Sequence, residues 1–290
     1  MTERFVPEDM VNPEHESKSR LETYLVFVRH GKAAALPGSD TSNQLDAIRH
    51  HTSEGEQQVY NAGVRLADEI SLQPNDLVLQ RSSHRLRARQ TATGALQGFI
   101  DTQQARGVET INLQASVKPG RESLSFPSVT ARGDGPYAIG SARRGTSSGL
   151  SEEWTRHPDL FQQDIEEAGL SDDAEQTLEE MQDSFQRQIS VVDRATRLLE
   201  KRWESRRASD SDVAPRLVLI EGSHGFVSEP WLQEVVRDYE QDNGVQVPLE
   251  LSYGEYFVIH FPTNSAEPVT FRVKDHTIPI KPEFLAKIKE

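Results

Sequence analysis

The pattern of apolar and polar positions predicts alternating strands and helices along most of the chain. Runs of β-branched and aromatic residues predict strands at 24–28, 76–80, 108–113, 216–220, 256–260 and 269–273. Apolar residues at helical spacing predict helices at 52–70, about 83–99, 151–168, 172–207 and 229–239. This order indicates a parallel sheet with crossover helices. We therefore predict an α/β fold, a three-layer sandwich in which helices flank a mostly parallel sheet.

Hydroxyl side chains precede two of these helices and can cap them. Thr52 or Ser53 is placed to cap the first helix, and Ser82 or Ser83 the second. The helix at 172–207 carries one apolar stripe, which we interpret as core rather than as a cofactor site.

Three segments lack such periodicity. Residues 1–20 are polar and predict a flexible N-terminal arm. Residues 32–50 have the composition of a loop. Residues 114–149 are rich in Gly, Ser, Pro and Arg, and both a disordered insertion and an active-site lid remain open for them. We predict a single domain over 21–290 with an insertion at about 114–170.

Composition narrows the classes of function. Asp and Glu number 46 against 32 Lys and Arg, a formal charge of −14, which argues against general affinity for nucleic acids or anionic membranes. There is no cysteine, which excludes disulfides, thiolate zinc sites and a cysteine nucleophile. Apolar runs of about five residues are far shorter than the roughly 20 that span a bilayer. The polar start lacks a secretory signal, and we expect a cytoplasmic protein.

Polar side chains suited to phosphate follow three predicted strands. Arg29-His30-Gly31 follows the first, Arg87 the second, and Ser223-His224-Gly225 a later one. The carboxyl ends of parallel strands share one edge of a sheet, so we expect these side chains to converge in an anion site. Guanidinium forks match phosphate oxygens, and a helix start adds N–H donors. One histidine can attack phosphorus while the other stabilises charge, and no metal is needed.

Other residues near these motifs receive smaller roles. Gly31 allows close backbone approach to a ligand, or else serves turn geometry. Ser223 can hydrogen-bond the phosphate or cap, and Lys32 is assigned to substrate binding. Arg85 and Arg89 are expected to remain surface charges. Four histidines have no partner pattern and are interpreted as ordinary: His50, His51, His84 and His157.

Four motifs resemble the histidine phosphatase superfamily, the phosphoglycerate-mutase-like group. They are Arg29-His30-Gly31, Thr52-Ser53-Glu54-Gly55 with Gln58 (Leu-Thr-x-x-Gly-x-x-Gln), residues 82–92 (Ser-Ser-Pro-Leu-x-Arg-Ala-x-x-Thr-Ala), and Ser223-His224-Gly225. The resemblance covers about residues 24–100 and 215–260. It implies a metal-independent phosphatase without a cofactor, acting on small phosphorylated substrates. It further implies that His30 forms a phosphohistidine, that Arg29 and Arg87 hold the phosphoryl oxygens, and that His224 is the second histidine of the pocket.

The general acid does not match the family pattern. Gly225 follows His224 where an aspartate is common, and Leu113-Gln114-Ala115 lacks the carboxylate of Leu-x-Glu. Glu122 is the candidate, because it lies in a loop that could reach the pocket. A solvent-facing loop charge is the other interpretation of Glu122, and Glu109 and Asp134 are further candidates.

Two other functions remain open. A phosphoglycerate-type mutase is disfavoured because Lys32-Ala33-Ala34-Ala35 stands where Glu-x-x-x-Asn is expected. A non-catalytic phosphate-binding or interaction protein would explain the missing acid as lost turnover. The oligomeric state does not follow from the sequence.

Overall fold

The structure is a computed structural model that describes residues 21–34, 48–73, 76–82, 85–108, 111–114, 143, 157–167, 214–223, 229–263 and 266–286. Several predictions lie outside these residues: the N-terminal arm, most of the insertion, and the helix at 172–207. Glu122 and His224 also lie outside them, as do the side chains of Ser223 and of residues 112–114.

Seven strands form one mixed sheet. They are β1 (Thr23–Arg29), β2 (Leu77–Ser82), β3 (Asn112–Gln114), β4 (Leu217–Ser223), β5 (Tyr256–Phe261), β6 (Thr270–Val273) and β7 (His276–Pro279). Their order is β3-β2-β4-β1-β5-β6-β7. Strands β3, β2, β4 and β1 pair in parallel, whereas β5, β6 and β7 continue the sheet in antiparallel pairs. The predicted parallel arrangement is confirmed for the half of the sheet that carries the motifs.

Helices pack on both faces of this sheet. The described helices are α1 (Ser53–Glu69), α2 (Leu86–Ala105), α3 (Pro158–Glu167), α4 (Glu229–Asn243) and α5 (Pro282–Ala286). One core joins α1 and α2 to the sheet through Leu66, Ala95, Phe99, Val26, Val218 and Ile220. The other joins α4 to the opposite face through Leu232, Val235, Val236, Leu25, Phe27 and Leu219. The three-layer α/β sandwich is therefore confirmed.

Helix α2 differs from the prediction at both ends. Its N-cap is Arg85, in an extended conformation and without a side-chain cap, so the predicted serine cap is wrong. Ser82 instead ends β2. The helix continues past Phe99 because Gln103 is buried and donates to the carbonyl of Ile70. A hydrogen-bonded polar side chain thus takes a position where the sequence pattern required an apolar one.

Two smaller differences concern strands and helix length. Strand β3 spans only Asn112–Gln114, later and shorter than the predicted 108–113. Helix α4 extends to Asn243 rather than Tyr239. None of the helices in the described part of the chain is both long and apolar enough to cross a bilayer.

Candidate active site

The carboxyl ends of β1, β2 and β4 lie side by side at one edge of the sheet. Arg29 is in register with Ser223, and Ser82 with Gly222. The chain leaves β1 directly into His30, and β2 leads through a short connection to α2, which carries Arg87 in its first turn. The topology therefore brings three of the predicted motifs to one edge.

His30 follows β1 and presents a defined tautomer. Its Nδ1 lies 2.9 Å from the carbonyl oxygen of Gly31. A carbonyl only accepts hydrogen bonds, so Nδ1 carries the proton and the neutral ring has its lone pair on Nε2. Loss of hydration and the charge of Arg87, followed by that of Arg29, lower the pKa of His30 to about 3. At neutral pH the ring is uncharged, which a nucleophilic nitrogen requires.

Arg29 is held beside His30 by the turn that precedes β5. Its Nη1 donates to the carbonyl of Leu251, and its guanidinium carbon lies 5.1 Å from the ring centre of Tyr253. The His30 ring centre lies 5.5 Å from the same tyrosine ring. The two residues of the first motif therefore share one aromatic neighbour.

Arg87 completes the cationic part of the site. The residue is 5% exposed, and its charge lowers the pKa of both His30 and His51. Arg87 lies in the first turn of α2, at the edge of the sheet where β1 leads into His30, and its carbonyl accepts from Thr91, which contacts His51. Arg29, His30 and Arg87, which the sequence predicted to converge, are brought together.

Arg85 corrects a sequence prediction. We expected it at the surface with Arg89, but it is 7% exposed, whereas Arg89 is exposed. Burial and the charge of Arg87 lower the pKa of Arg85 to about 10. The reason is that Arg85 is the N-cap, outside the helical periodicity that the prediction assumed. Positive charge is thus concentrated locally in a protein whose formal charge is −14.

His51 is a site residue that the sequence analysis interpreted as ordinary. It is 3% exposed and forms an antiparallel bridge with Ala33, three residues after His30. Its Nε2 lies 3.2 Å from Oγ1 of Thr91, which donates to the carbonyl of Arg87 over 2.7 Å. The available signal was a histidine where the family pattern Leu-Thr-x-x-Gly has leucine.

The contact with Thr91 determines the tautomer of His51, and the surroundings of the ring determine its charge. Because the Thr91 hydroxyl proton goes to the Arg87 carbonyl, Nε2 of His51 must donate to Thr91. Burial, Arg87 and His50 lower the pKa of His51 to about 4, so it is neutral at pH 7. His51 therefore links the loop after His30 to the first turns of α2 without adding positive charge.

The loop after His30 rests directly on the start of α1. A Cβ on Gly31 would lie 2.2 Å from the carbonyl oxygen of Gly55, and one on Gly55 would lie 2.1 Å from that of Lys32. Thr52, one of the two predicted caps of α1, accepts from the N–H of Gly55 over 3.1 Å. The close approach at Gly31 is thus to the backbone of α1, and its contact with a ligand stays a prediction.

The other predicted substrate-binding residues have mixed outcomes. Lys32 Nζ lies 2.7 Å from a carboxylate oxygen of Glu54, and both side chains are exposed. Ser223 ends β4 at the expected edge. Their contacts with substrate stay predictions, as do the roles of His224 and Glu122 outside the described residues.

A buried ion pair lies on β2 and β4, two positions before the predicted serine on β4. Arg81 and Glu221 are in register, and Nε of Arg81 lies 3.9 Å from Oε1 of Glu221. Neither carboxylate oxygen has a hydrogen-bond partner among the described residues, and Glu221 is fully buried. Burial raises the pKa of Glu221 to about 7, although Arg81 opposes this.

This pair predicts a specific pH dependence of stability. Because the folded-state pKa of Glu221 lies above its unfolded value of 4.5, the native state binds the proton more tightly, and stability falls as pH rises through 7. Between about pH 5 and pH 8, we expect the wild type to lose about 2.5 kcal/mol more unfolding free energy than Glu221→Gln. Chemical denaturation across that range measures the difference. The histidines contribute equally to the pH dependence of both proteins, so their contributions cancel in the difference. Parallel curves for the two proteins would contradict the assignment.

Solved structures with low sequence identity resemble this chain. No protein-family model and no curated protein matches the chain. A mycobacterial glucosyl-3-phosphoglycerate phosphatase solved with VO3 is 15% identical, with a TM-score of 0.37 over 87% of this chain and 98% of that chain. Mycobacterial hydrolase 1 is 15% identical, with a TM-score of 0.39 over 90% of this chain and 100% of that chain.

The solved structures that resemble this chain include further phosphatases, among them an alpha-ribazole-5'-P phosphatase from Escherichia coli, 16% identical, with a TM-score of 0.33 over 88% of this chain and 96% of that chain. At TM-scores below 0.5, these likenesses are too distant to assign an activity.

Proposed function

We propose that the protein is a metal-independent phosphatase that hydrolyses phosphate monoesters through a phosphohistidine on His30. The observation that carries the proposal is the hydrogen bond from Nδ1 of His30 to the Gly31 carbonyl. It leaves the lone pair on Nε2, in a ring that burial, together with the neighbouring arginines, keeps uncharged. An imidazole in that state beside two guanidinium groups is suited to attack a phosphoryl group.

The reaction has two steps. In the first, Nε2 of His30 forms a bond to phosphorus while the bond to the ester oxygen breaks, and that oxygen takes up a proton. In the second, water attacks phosphorus and gives one proton to the carboxylate that protonated the ester oxygen, the N–P bond breaks, and inorganic phosphate leaves with the lone pair returned to Nε2. Arg29 and Arg87 stabilise the charge on the transferring group throughout.

Residues outside the described part complete the proposal. We assign the second histidine of the pocket to His224 and the proton donor to Glu122, on the sequence reasoning above. Ser223 and Lys32 are assigned contacts with the substrate at the same edge. Small phosphorylated compounds suit a local basic site in an acidic protein, since the charge that attracts them is confined to the pocket.

Trapping the phosphoenzyme tests the proposal. The full chain is mixed with radiolabelled p-nitrophenyl phosphate and quenched in alkali, which preserves phosphohistidine. We expect one label on the peptide that contains His30, no label in His30→Gln, and unchanged labelling in Arg89→Gln, whose arginine is exposed on α2.

Three results would contradict it. Turnover without a label, or a label on another residue, would overturn the mechanism.

Binding of inorganic phosphate without turnover would favour a non-catalytic phosphate-binding protein. The turnover panel comprises sugar phosphates, nucleotides, phytate-like compounds and phosphopeptides.

A further inference from the structure

We infer that Tyr253 forms a platform for the leaving group beside His30, and that the site prefers phosphate esters whose alcohol carries an aromatic or planar group. The inference rests on the proposed function, because it concerns the leaving-group end of the same site.

The first observation is the position of an exposed aromatic ring. Tyr253 is 43% exposed, and its ring centre lies 5.5 Å from that of His30, with the two planes inclined at 42°. The guanidinium of Arg29 lies 5.1 Å from the same ring centre. The ring therefore adjoins the attacking residue and a phosphate-binding arginine, while much of its surface faces solvent. An ester group that extends from the phosphate toward the Arg29 side of the site would contact this ring.

The second observation is that the ring stands on a pinned turn. The N–H of Glu255 donates to the carbonyl of Ser252, and the N–H of Ser252 donates back to the Glu255 carboxylate. The backbone of Arg29 accepts from Gly254 over 3.2 Å and donates to Glu255 over 2.9 Å. Arg65 of α1 donates to the carbonyl of Gly254. The turn is thus tied to the end of β1 and to α1.

Gly254 restricts this turn further. Its φ is +71°, and a Cβ there would lie 2.7 Å from the carbonyl oxygen of Gln58. Both conditions favour glycine and hold the turn against α1. The backbone beneath Tyr253 is therefore fixed before a substrate arrives, which reduces the entropy lost on stacking.

The chemistry of the ring selects the class of leaving group. An aromatic face gains most from an offset or edge-on aromatic partner at a centroid distance of about 4.5–7 Å. A saturated group of similar size gains only the burial of apolar area. We therefore expect discrimination by planarity rather than by hydrophobicity.

Two esters separate these effects. Benzyl phosphate and cyclohexylmethyl phosphate both release a primary alcohol, but only the first has an aromatic ring, and the second is more hydrophobic. In the wild type we expect kcat/KM for benzyl phosphate to be higher by roughly three- to tenfold. Tyr253→Leu should bring the ratio to about one while both esters are still hydrolysed. Because the side chain is exposed, the substitution leaves no core cavity.

Control variants distinguish the ring from general effects. Tyr253→Phe should keep the ratio, because the ring remains. Tyr60→Leu removes a tyrosine on α1 that hydrogen-bonds Asp101, and it should also keep the ratio. Equal kcat/KM for the two esters in the wild type, or an unchanged ratio in Tyr253→Leu, would overturn the platform.

The failure of the platform is distinguishable from that of the proposed function. If both esters are hydrolysed equally and activity depends on His30, only the platform is wrong. If neither is hydrolysed, the proposed function is wrong, and binding then tests the platform. Calorimetry should give a lower Kd for benzylphosphonate than for cyclohexylmethylphosphonate, and equal values would overturn the platform.

Discussion

His30→Gln is expected to lower kcat for p-nitrophenyl phosphate by at least about a thousandfold, because removal of a covalent nucleophile leaves only binding and electrostatic assistance. Glutamine has similar reach and hydrogen-bonding groups, but its amide nitrogen has no lone pair available for attack on phosphorus. Steady-state kinetics at neutral pH, where the imidazole is uncharged, measure the loss.

Two controls separate chemistry from structure in this experiment. Binding of inorganic phosphate should persist in His30→Gln, because Arg29 and Arg87 remain. His51→Gln replaces a second imidazole, which lowers the pKa of His30 but is not assigned as the nucleophile. This variant should retain turnover far above that of His30→Gln. Full activity in His30→Gln would remove the nucleophile assignment, and equal losses in the two variants would indicate a structural effect.

Strand burial explains which parts of the fold could be predicted. Strands β1, β2 and β4 lie in the middle of the sheet and carry helices on both faces, so their sequences are nearly continuous apolar runs. Strand β7 was not predicted, because among its four residues only Ile278 is buried. Its pairing depends on the turn at Lys274, whose φ is 50°. A strand that pairs because of its turn, and that buries one side chain, has no apolar alternation from which it could be predicted.

The same distinction applies to the site. Arg29, His30 and Arg87 could be predicted to converge, because each follows a strand whose end lies at a known edge. His51 and Tyr253 could not, because their places depend on tertiary contacts. His51 is positioned by a bridge to the loop after His30, and Tyr253 by a turn packed on α1. Neither contact produces a periodic pattern of apolar residues in the sequence.

Arg87 is the second residue whose replacement should have a large effect. Arg87→Gln is expected to lower kcat/KM for p-nitrophenyl phosphate by about a hundredfold or more, since one preorganised donor to transition-state charge is worth that much. Arg89→Gln, two positions along α2 and exposed, is the matched control and should stay close to the wild type. Similar losses in the two variants would show that helix charge in general, rather than Arg87, supports the reaction.

The pH dependence of Arg87→Gln gives a readout that misfolding would not produce. Arg87 is the charge that most lowers the pKa of His30. Without it, protonation of His30 costs less, so the pKa rises from about 3, and the acidic limb of kcat/KM moves to higher pH. Arg87→Lys keeps the charge but loses the bidentate fork. Arg87→Lys should therefore lose activity while the acidic limb of its kcat/KM stays near that of the wild type. An acidic limb that moves equally in Arg87→Gln and Arg87→Lys would contradict the electrostatic role of Arg87.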